Sequence, residues 1–490
     1  MTDKPLSSLE LAEEMIALDA ETLTVADTAQ LQRLILDYGA VTLCGSTQPW
    51  GRKMRTWSQE QRASGAARLI GSGDLTNAAT AALANGTAAH GYELDDTHEA
   101  SSSHPGAVVI SAAFAVAAET NAQGRDILAA IAAGYETMTR IGRAAISQEV
   151  TERGFHATCL FGPFGAAAAA AKLMGLDASG LARSWGLALS MVSGSSQFAH
   201  EAQGTMVKRM HAGIPAMHGV IAAQLGKLEM SAPVNALEGP LAFYHLYSAN
   251  PNLELLRRKP SAPLEIHNIS FRPYSCCCKF HSMIDCLETA TDKFSFDPAD
   301  ISKVDVYSPE KAIKKHAIRR PDSVMATQYS MPNITAATLA YGPKNYGAFE
   351  SAYHQDPTII SLIDKTEAHH DPKLNGYLPE RMANRVVVTF ADGRQNSAEV
   401  IEALGSPERP LSFDGVLEKA MPLIDMVDPD IDLPAVADAV RQLPNMTDID
   451  DLMKLLAVFA AIDRDESGSI SFVELLDFMR LQRTRFSRRV

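Results

Sequence analysis

Between about Leu9 and Ala249 apolar residues recur at three- and four-residue spacing, in stretches rich in Ala, Leu, Met and Gly. The pattern predicts a packed helical domain, punctuated by turns at 71–73, 121–124 and 176–179. Near Pro260 the pattern changes. Alternating segments at 302–308 and 385–390 predict strands, and the Asp392-Gly393 pair leads into another short strand through Val400 as a hairpin. Helical spacing returns from about Asp414 to Leu456. The expected class is mainly α, divided into a helical main domain over 1–266, a smaller α+β lid domain over 267–408, a return to the main domain over 409–450, and a tail over 451–490.

The chain has 490 residues, of which 46% are hydrophobic and 21% charged, a globular balance. Its net charge of -14 disfavours nucleic acid or an anionic membrane as partner, so a polyanionic substrate would need a local basic pocket. The six cysteines show neither a secreted disulfide spacing nor a C-x-x-C zinc pattern. No apolar leader or membrane-length apolar run is present, and a cytoplasmic location is expected. The triplet Cys276–Cys278 reads as packing.

Residues 90–106, His-Gly-Tyr-Glu-Leu-Asp-Asp-Thr-His-Glu-Ala-Ser-Ser-Ser-His-Pro-Gly, set four carboxylates and three imidazoles between two alanine-rich helical stretches. Glu93, Asp95, Asp96 and Glu99 would crowd negative charge around His98 and His104 and raise an imidazole pKa, making a proton donor near neutrality. The alternative is a solvated loop whose Asp and Ser side chains cap the next helix. His98 is expected to be exposed and auxiliary.

Three further segments carry polar groups in apolar surroundings. His156 stands just before a very apolar helix, whose N-terminus favours an anion. Lys208, Arg209 and His211 fall together in 204–213, and Arg272, Lys279 and His281 lie at the change of domain. Solvated charges and buried structural histidines are the alternative for these positions.

The order and character of these four segments, with a fifth, Ala326-Thr-Gln-Tyr-Ser-Met-Pro-Asn-Ile-Thr-Ala-Ala, resemble the MmgE/PrpD family over residues 8–457. The resemblance implies a helical main domain, an α+β lid, a homodimer, and a pocket between the domains that works without metal or organic cofactor. It places catalytic roles on Glu93, Asp96, Thr97, His104 and His156, and carboxylate binding on Lys208. Arg272 stands where the family often has a lysine; it can grip a carboxylate but cannot act as an acid at neutral pH. Arg209, Lys279 and His281 complete the expected substrate-binding set. The implied activity is that of a lyase on a citrate- or aconitate-like polycarboxylate. Decarboxylation of cis-aconitate comes first, then dehydration of 2-methylcitrate or an alkylcitrate, then epimerisation of a dicarboxylate analogue. A non-catalytic, calcium-responsive binding protein is the reading from another class.

The tail carries its own pattern. Asp463, Asp465, Ser467, Ser469 by its carbonyl, Ser471 and Glu474 fall at the ligand positions of an EF-hand loop, with Gly468 at its sharp turn. Helical spacing of Leu452, Leu455, Leu456 and Phe459 before it, and of Phe472, Leu475, Leu476 and Met479 after it, supports a single calcium-binding helix-loop-helix.

Overall fold

The computed structural model describes residues 6–201, 205–259, 262–378 and 381–457. The expected calcium loop from Asp463 to Glu474 lies outside the described residues. The described residues are mainly α-helical, with a four-stranded mixed sheet and a two-residue antiparallel pair, Ala67–Arg68 with Leu75–Thr76.

Helices α1 (Val25–Ser46), α2 (Ala78–Ala89), α3 (Pro105–Thr120), α4 (Gly124–Ala144), α5 (Ala157–Leu173) and α6 (Met210–Lys227) form the body. The start of α1 is set by a capping box: Thr24 Oγ1 accepts from the Asp27 amide, and the Thr24 amide donates to Asp27 Oδ2 at 2.9 Å. Residues 157–171 of α5 are buried on every side, as expected for an interior helix that is apolar all round. Small residues let these helices approach closely. A Cβ on Gly86 would fall 2.8 Å from the Gly213 Cα, so α2 and α6 cross nearly backbone to backbone, bringing the loop after α2 beside the segment before α6.

The second part contains helices α7 (His281–Ala290), α8 (Val324–Tyr329) and α9 (Met331–Tyr341). Its strands are β1 (Ile301–Ser308), β2 (Thr366–His370), β3 (Asn384–Phe390) and β4 (Gln395–Val400), in the order β2-β1-β3-β4. β1 runs parallel to β2 and antiparallel to β3, and β3 and β4 form the hairpin expected at Asp392-Gly393. Gly393 takes φ +86°, a left-handed turn conformation that suits glycine. In register, Val304 faces Val388 and Val306 faces Val386; all four are buried in a core separate from that of the body. β2 is absent from the sequence reading because Thr-Glu-Ala-His-His has no apolar alternation.

Helix α10 (Phe413–Asp425) then packs on α1, and Leu411, Val416, Leu423, Val440 and Leu452 join the core of the body. Its fully buried Lys419 lies 2.6 Å from Asp37 Oδ1 on α1 and donates to the Leu94 carbonyl at 2.6 Å. A residue more than three hundred positions away thereby braces the acidic loop from below.

Candidate active site

The loop after α2 is clamped at Thr97. The Thr97 amide donates to the Ser270 carbonyl at 2.9 Å and the Ser270 amide donates back at 2.8 Å, which fastens the loop to the segment carrying Arg272. Glu93 has φ +59°, a left-handed conformation uncommon for a residue with a Cβ. Its surroundings hold it there. Lys208 and Arg209 reach Glu93 Oε1, the latter at 2.7 Å, while Arg272 reaches Oε2 at 3.1 Å and the Tyr329 hydroxyl donates to Oε2 at 3.2 Å. All three cations are buried. Burial alone would raise the Glu93 pKa, but Lys208, Arg272 and Arg209 outweigh it and hold the carboxyl well below the usual range. The cations are backed by aromatic faces, with Arg209 5.1 Å from the Trp50 ring and Lys208 5.3 Å from that of Tyr329.

Beside this cradle stands a cluster of imidazoles. The His90 and His104 ring centroids are 4.8 Å apart, His90 and His156 5.8 Å, His104 and His156 6.5 Å, and His156 and His211 5.0 Å. Asp95 joins them to the cations: its Oδ2 lies 2.7 Å from His90 Nδ1 and 3.3 Å from His104 Nδ1, and its Oδ1 lies 3.7 Å from Arg272. Burial works to raise the Asp95 pKa, yet His104, His90 and Arg272 hold it well below its ordinary value.

His104 Nδ1 is also 2.9 Å from the Asp96 carbonyl, which can only accept, so Nδ1 carries hydrogen and the Nε2 lone pair of the neutral ring is free. Its amide donates to Thr158 Oγ1 at 3.1 Å, fixing it between α3 and α5. Contrary to the expectation of a raised imidazole pKa, burial pushes His104 down to about 3, assisted by His90, Arg272 and Lys208, against the opposing pull of Asp95. His156 is likewise pushed well below its ordinary value by burial, then by His90, His211 and Lys208. The crowd of carboxylates expected around His104 does not form: Glu93 is claimed by the cations and Glu99 is exposed.

Asp96 was expected among the carboxylates around His104, but its carboxyl faces away. Oδ1 accepts from the Gly106 amide at 2.8 Å and Oδ2 from the Tyr135 hydroxyl at 2.6 Å, so it anchors the start of α3. Burial raises its pKa to about 7. Thr97 stays close, with Oγ1 3.3 Å from His104 Nδ1. His98 is 1% exposed rather than solvated, because Glu265 Oε2 at 3.2 Å and Ser101 at 2.8 Å bind its two ring nitrogens inside the protein.

His281 is buried against Tyr274, and its Nε2 lies 3.3 Å from the Cys276 carbonyl that also accepts from Arg272 at 2.7 Å. It thus braces the backbone that orients Arg272, rather than joining the cationic face. Lys279 is half-buried before α7, with its carbonyl accepting from Asn384 Nδ2 at 3.0 Å and no bond to the cradle among the described residues. All six cysteines are free thiols.

Three contributors, His90, Tyr329 and Trp50, received no role from the residues alone, and Asp95 was expected only as one of several carboxylates near His104. His90 and Asp95 both lay in the 90–106 run, and Tyr329 lay in the fifth segment, so their motifs were visible but their side-chain directions were not. Trp50 carried no sequence signal. Chemically, the arrangement offers three cations against two ionised carboxylates, with neutral imidazoles at His104 and His156. It suits capture of a polyanion and movement of a proton at a carbon next to a carboxylate.

Comparison with known proteins agrees with this architecture. The MmgE/PrpD N-terminal domain matches residues 9–256 and the MmgE/PrpD C-terminal domain residues 274–433. The chain is 27% identical over 458 residues to a cis-aconitate decarboxylase-like protein of Aspergillus oryzae, covering 88% of this chain and 93% of that protein. It is 26% identical to the cis-aconitate decarboxylase of Aspergillus terreus over 448 residues, covering 86% and 90%. It is 24% identical to that of Mus musculus over 469 residues, covering 92% and 93%. No described helix is long and apolar enough to cross a membrane. With both family domains matched in order and the cradle and imidazoles brought together between them, the chain belongs to the MmgE/PrpD family and is a lyase of its decarboxylase and dehydratase kind.

Proposed function

We propose that this lyase acts on a citrate- or aconitate-like polycarboxylate, with decarboxylation of cis-aconitate as the first reading. The observation that carries it is the convergence of Lys208, Arg209 and Arg272 on the single carboxylate of Glu93, beside His104 and His156. A site that holds one buried carboxylate with three cations is chemically prepared for others, and relatives named cis-aconitate decarboxylase support the choice.

The substrate's carboxylates would meet Lys208 and Arg272 in partial exchange for Glu93. Negative charge entering the pocket favours imidazolium, so His104 gains its proton as the substrate arrives. Loss of carbon dioxide leaves an electron pair on an allylic carbon, and His104 delivers a proton to that carbon from Nε2. Cations held in a dry pocket stabilise the developing charge without reorganising. The reading needs no cofactor, because side chains supply both the cationic clamp and the proton.

Dehydration of 2-methylcitrate or a longer alkylcitrate is the second reading, favoured by one observation: a neutral His104 with its Nε2 lone pair free is a base. That base would take the α-proton, while His156, protonated as the substrate's negative charge enters, passes its proton to the departing hydroxyl. Incubating the full chain with cis-aconitate and with 2-methylcitrate, following carbon dioxide release and alkene absorbance, separates the two. Turnover of neither would sink both. The reading also includes a homodimer and a calcium-binding tail, tested by light scattering and by calorimetry with calcium.

A further inference from the structure

One group of side chains lies next to the proposed proton-transfer site, and two of its three members, Cys159 and His211, are used by neither reaction. His156 precedes the first residue of α5, Cys159 follows three positions later on the same turn, and His211 is the second residue of α6. One nitrogen from each histidine and the Cys159 sulfur lie within 4.8 Å of one another. His211 and Cys159 are 95% and 97% buried. Nδ1 of His211 and Nδ1 of His156 are both buried and meet no hydrogen-bond partner within the described protein. A buried ring nitrogen without a partner is costly unless something fills the position.

The surroundings hold the three groups in place. Phe198 packs edge-on against both rings, at 5.6 Å from His156 and 5.3 Å from His211. The His156 amide donates to the Gly194 carbonyl at 3.0 Å. Gly194 has φ +122°, and a Cβ there would fall 2.2 Å from Cys159 Cβ and 3.0 Å from its sulfur, so only glycine leaves the thiol its place. The Cys159 thiol donates to the His211 carbonyl at 3.3 Å, a weak bond it can give up.

We propose that His156, Cys159 and His211 form a binding site for a soft divalent cation, zinc above all, whose occupation shuts the enzyme off. Two imidazoles and a thiolate suit zinc, and exclude calcium and magnesium, which take oxygen ligands. Zinc–nitrogen and zinc–sulfur bonds of about 2.0 and 2.3 Å bring ligand atoms to roughly 3.3–3.8 Å apart, a contraction of about 1 Å reached by small ring rotations. The bond to sulfur forms as the thiol proton leaves for solvent, so charge balances. Three protein ligands leave a fourth position for water. Inhibition follows because His156 is tied to the metal and can no longer exchange a proton; this part rests on the role given to His156 above.

The test uses the full chain with excess calcium present, so that oxygen-rich sites are already filled. Cobalt(II) or cadmium(II) should produce a thiolate-to-metal charge-transfer absorption at one equivalent, displaced by zinc. Zinc should lower turnover more than tenfold, with recovery on chelation. Cys159→Ser should leave metal-free turnover and the melting curve unchanged while losing both the absorption and the zinc sensitivity, and His211→Asn should weaken both. Absence of the absorption from wild type, or its persistence in Cys159→Ser through the cysteines at 276–278, overturns the site. Should neither carboxylic acid be turned over, the absorption still decides metal binding independently of the assigned reaction.

Discussion

Asp95 Oδ2 lies 3.3 Å from Nδ1 of His104, yet the imidazole it faces stays neutral at physiological pH, with burial holding its pKa down to about 3. One carboxylate does not outweigh burial because it is shared: His90 holds the same oxygen at 2.7 Å, and Arg272 approaches the other at 3.7 Å. The free enzyme is thus expected to lack the proton that decarboxylation consumes. Binding a tricarboxylate near pH 7 should draw roughly one proton from solution, as added negative charge raises the imidazole pKa. Calorimetry in buffers of different ionisation enthalpy measures this uptake. Binding with no net proton uptake would remove the coupling, and His104→Asn should abolish it.

His104 and Lys208 should fail differently. His104→Ala removes the proton mover and should lower kcat by about 10²–10⁴-fold with little change in KM. Lys208→Ala removes a clamp shared by ground and transition states and should chiefly raise KM, on the order of 10–100-fold. Steady-state kinetics with the substrate that is turned over provides the comparison; the opposite pattern would reverse the role assignment.

Glu93 is a carboxylate built into a site for carboxylates. Glu93→Gln keeps its shape but leaves Lys208, Arg209 and Arg272 without their common counter-charge, a change expected to cost about 3–5 kcal/mol of stability. Ligand binding should recover part of that loss, since anything that binds only the folded state stabilises it. The rise in Tm on adding cis-aconitate or citrate should therefore be larger for Glu93→Gln than for wild type. Equal rises would show that substrate carboxylates do not share the Glu93 cations.

Acid should unfold the protein early. Burial pushes His104 and His281 down to about 3 and His211 to about 4, from an ordinary 6.5, and pushes His156 down too. Between these folded values and 6.5 the unfolded chain binds more protons, so stability is fully present above about 6.5 and is lost as pH falls toward 3–4. One pH unit below 6.5, each such histidine costs about 1.4 kcal/mol at most. Melting curves should show Tm falling between pH 6.5 and 5. His281→Asn should flatten that fall; an unchanged slope would show that His281 takes up its proton without unfolding.

Much of this molecule was legible in its residues, because regular elements follow from local spacing. The apolar periods of the body, the alternation at 302–308 and 385–390, and the turn at Asp392-Gly393 each depend on neighbours within a few positions, and all appear as expected. β2 did not announce itself because a polar edge strand is specified by its pairing with β1 rather than by its own pattern. The motifs around His104, His156, Lys208 and Arg272 also stood out, since charged and imidazole side chains amid alanine-rich helices are chemically conspicuous.

What the linear order left open was direction and solvation. Whether Asp95 or its neighbour Asp96 faces His104 depends on the path of the backbone beyond the left-handed turn at Glu93 and on the clamp between Thr97 and Ser270. The protonation of His104 was read from nearby carboxylates, whereas water exclusion by α3, α5 and the 270–276 segment reverses its sign. The support of Lys419 for Asp37 and Leu94 joins positions that no local pattern connects. Periodicity is a property of neighbours along the chain; electrostatics in a buried pocket belongs to neighbours in space, and only folding determines who they are.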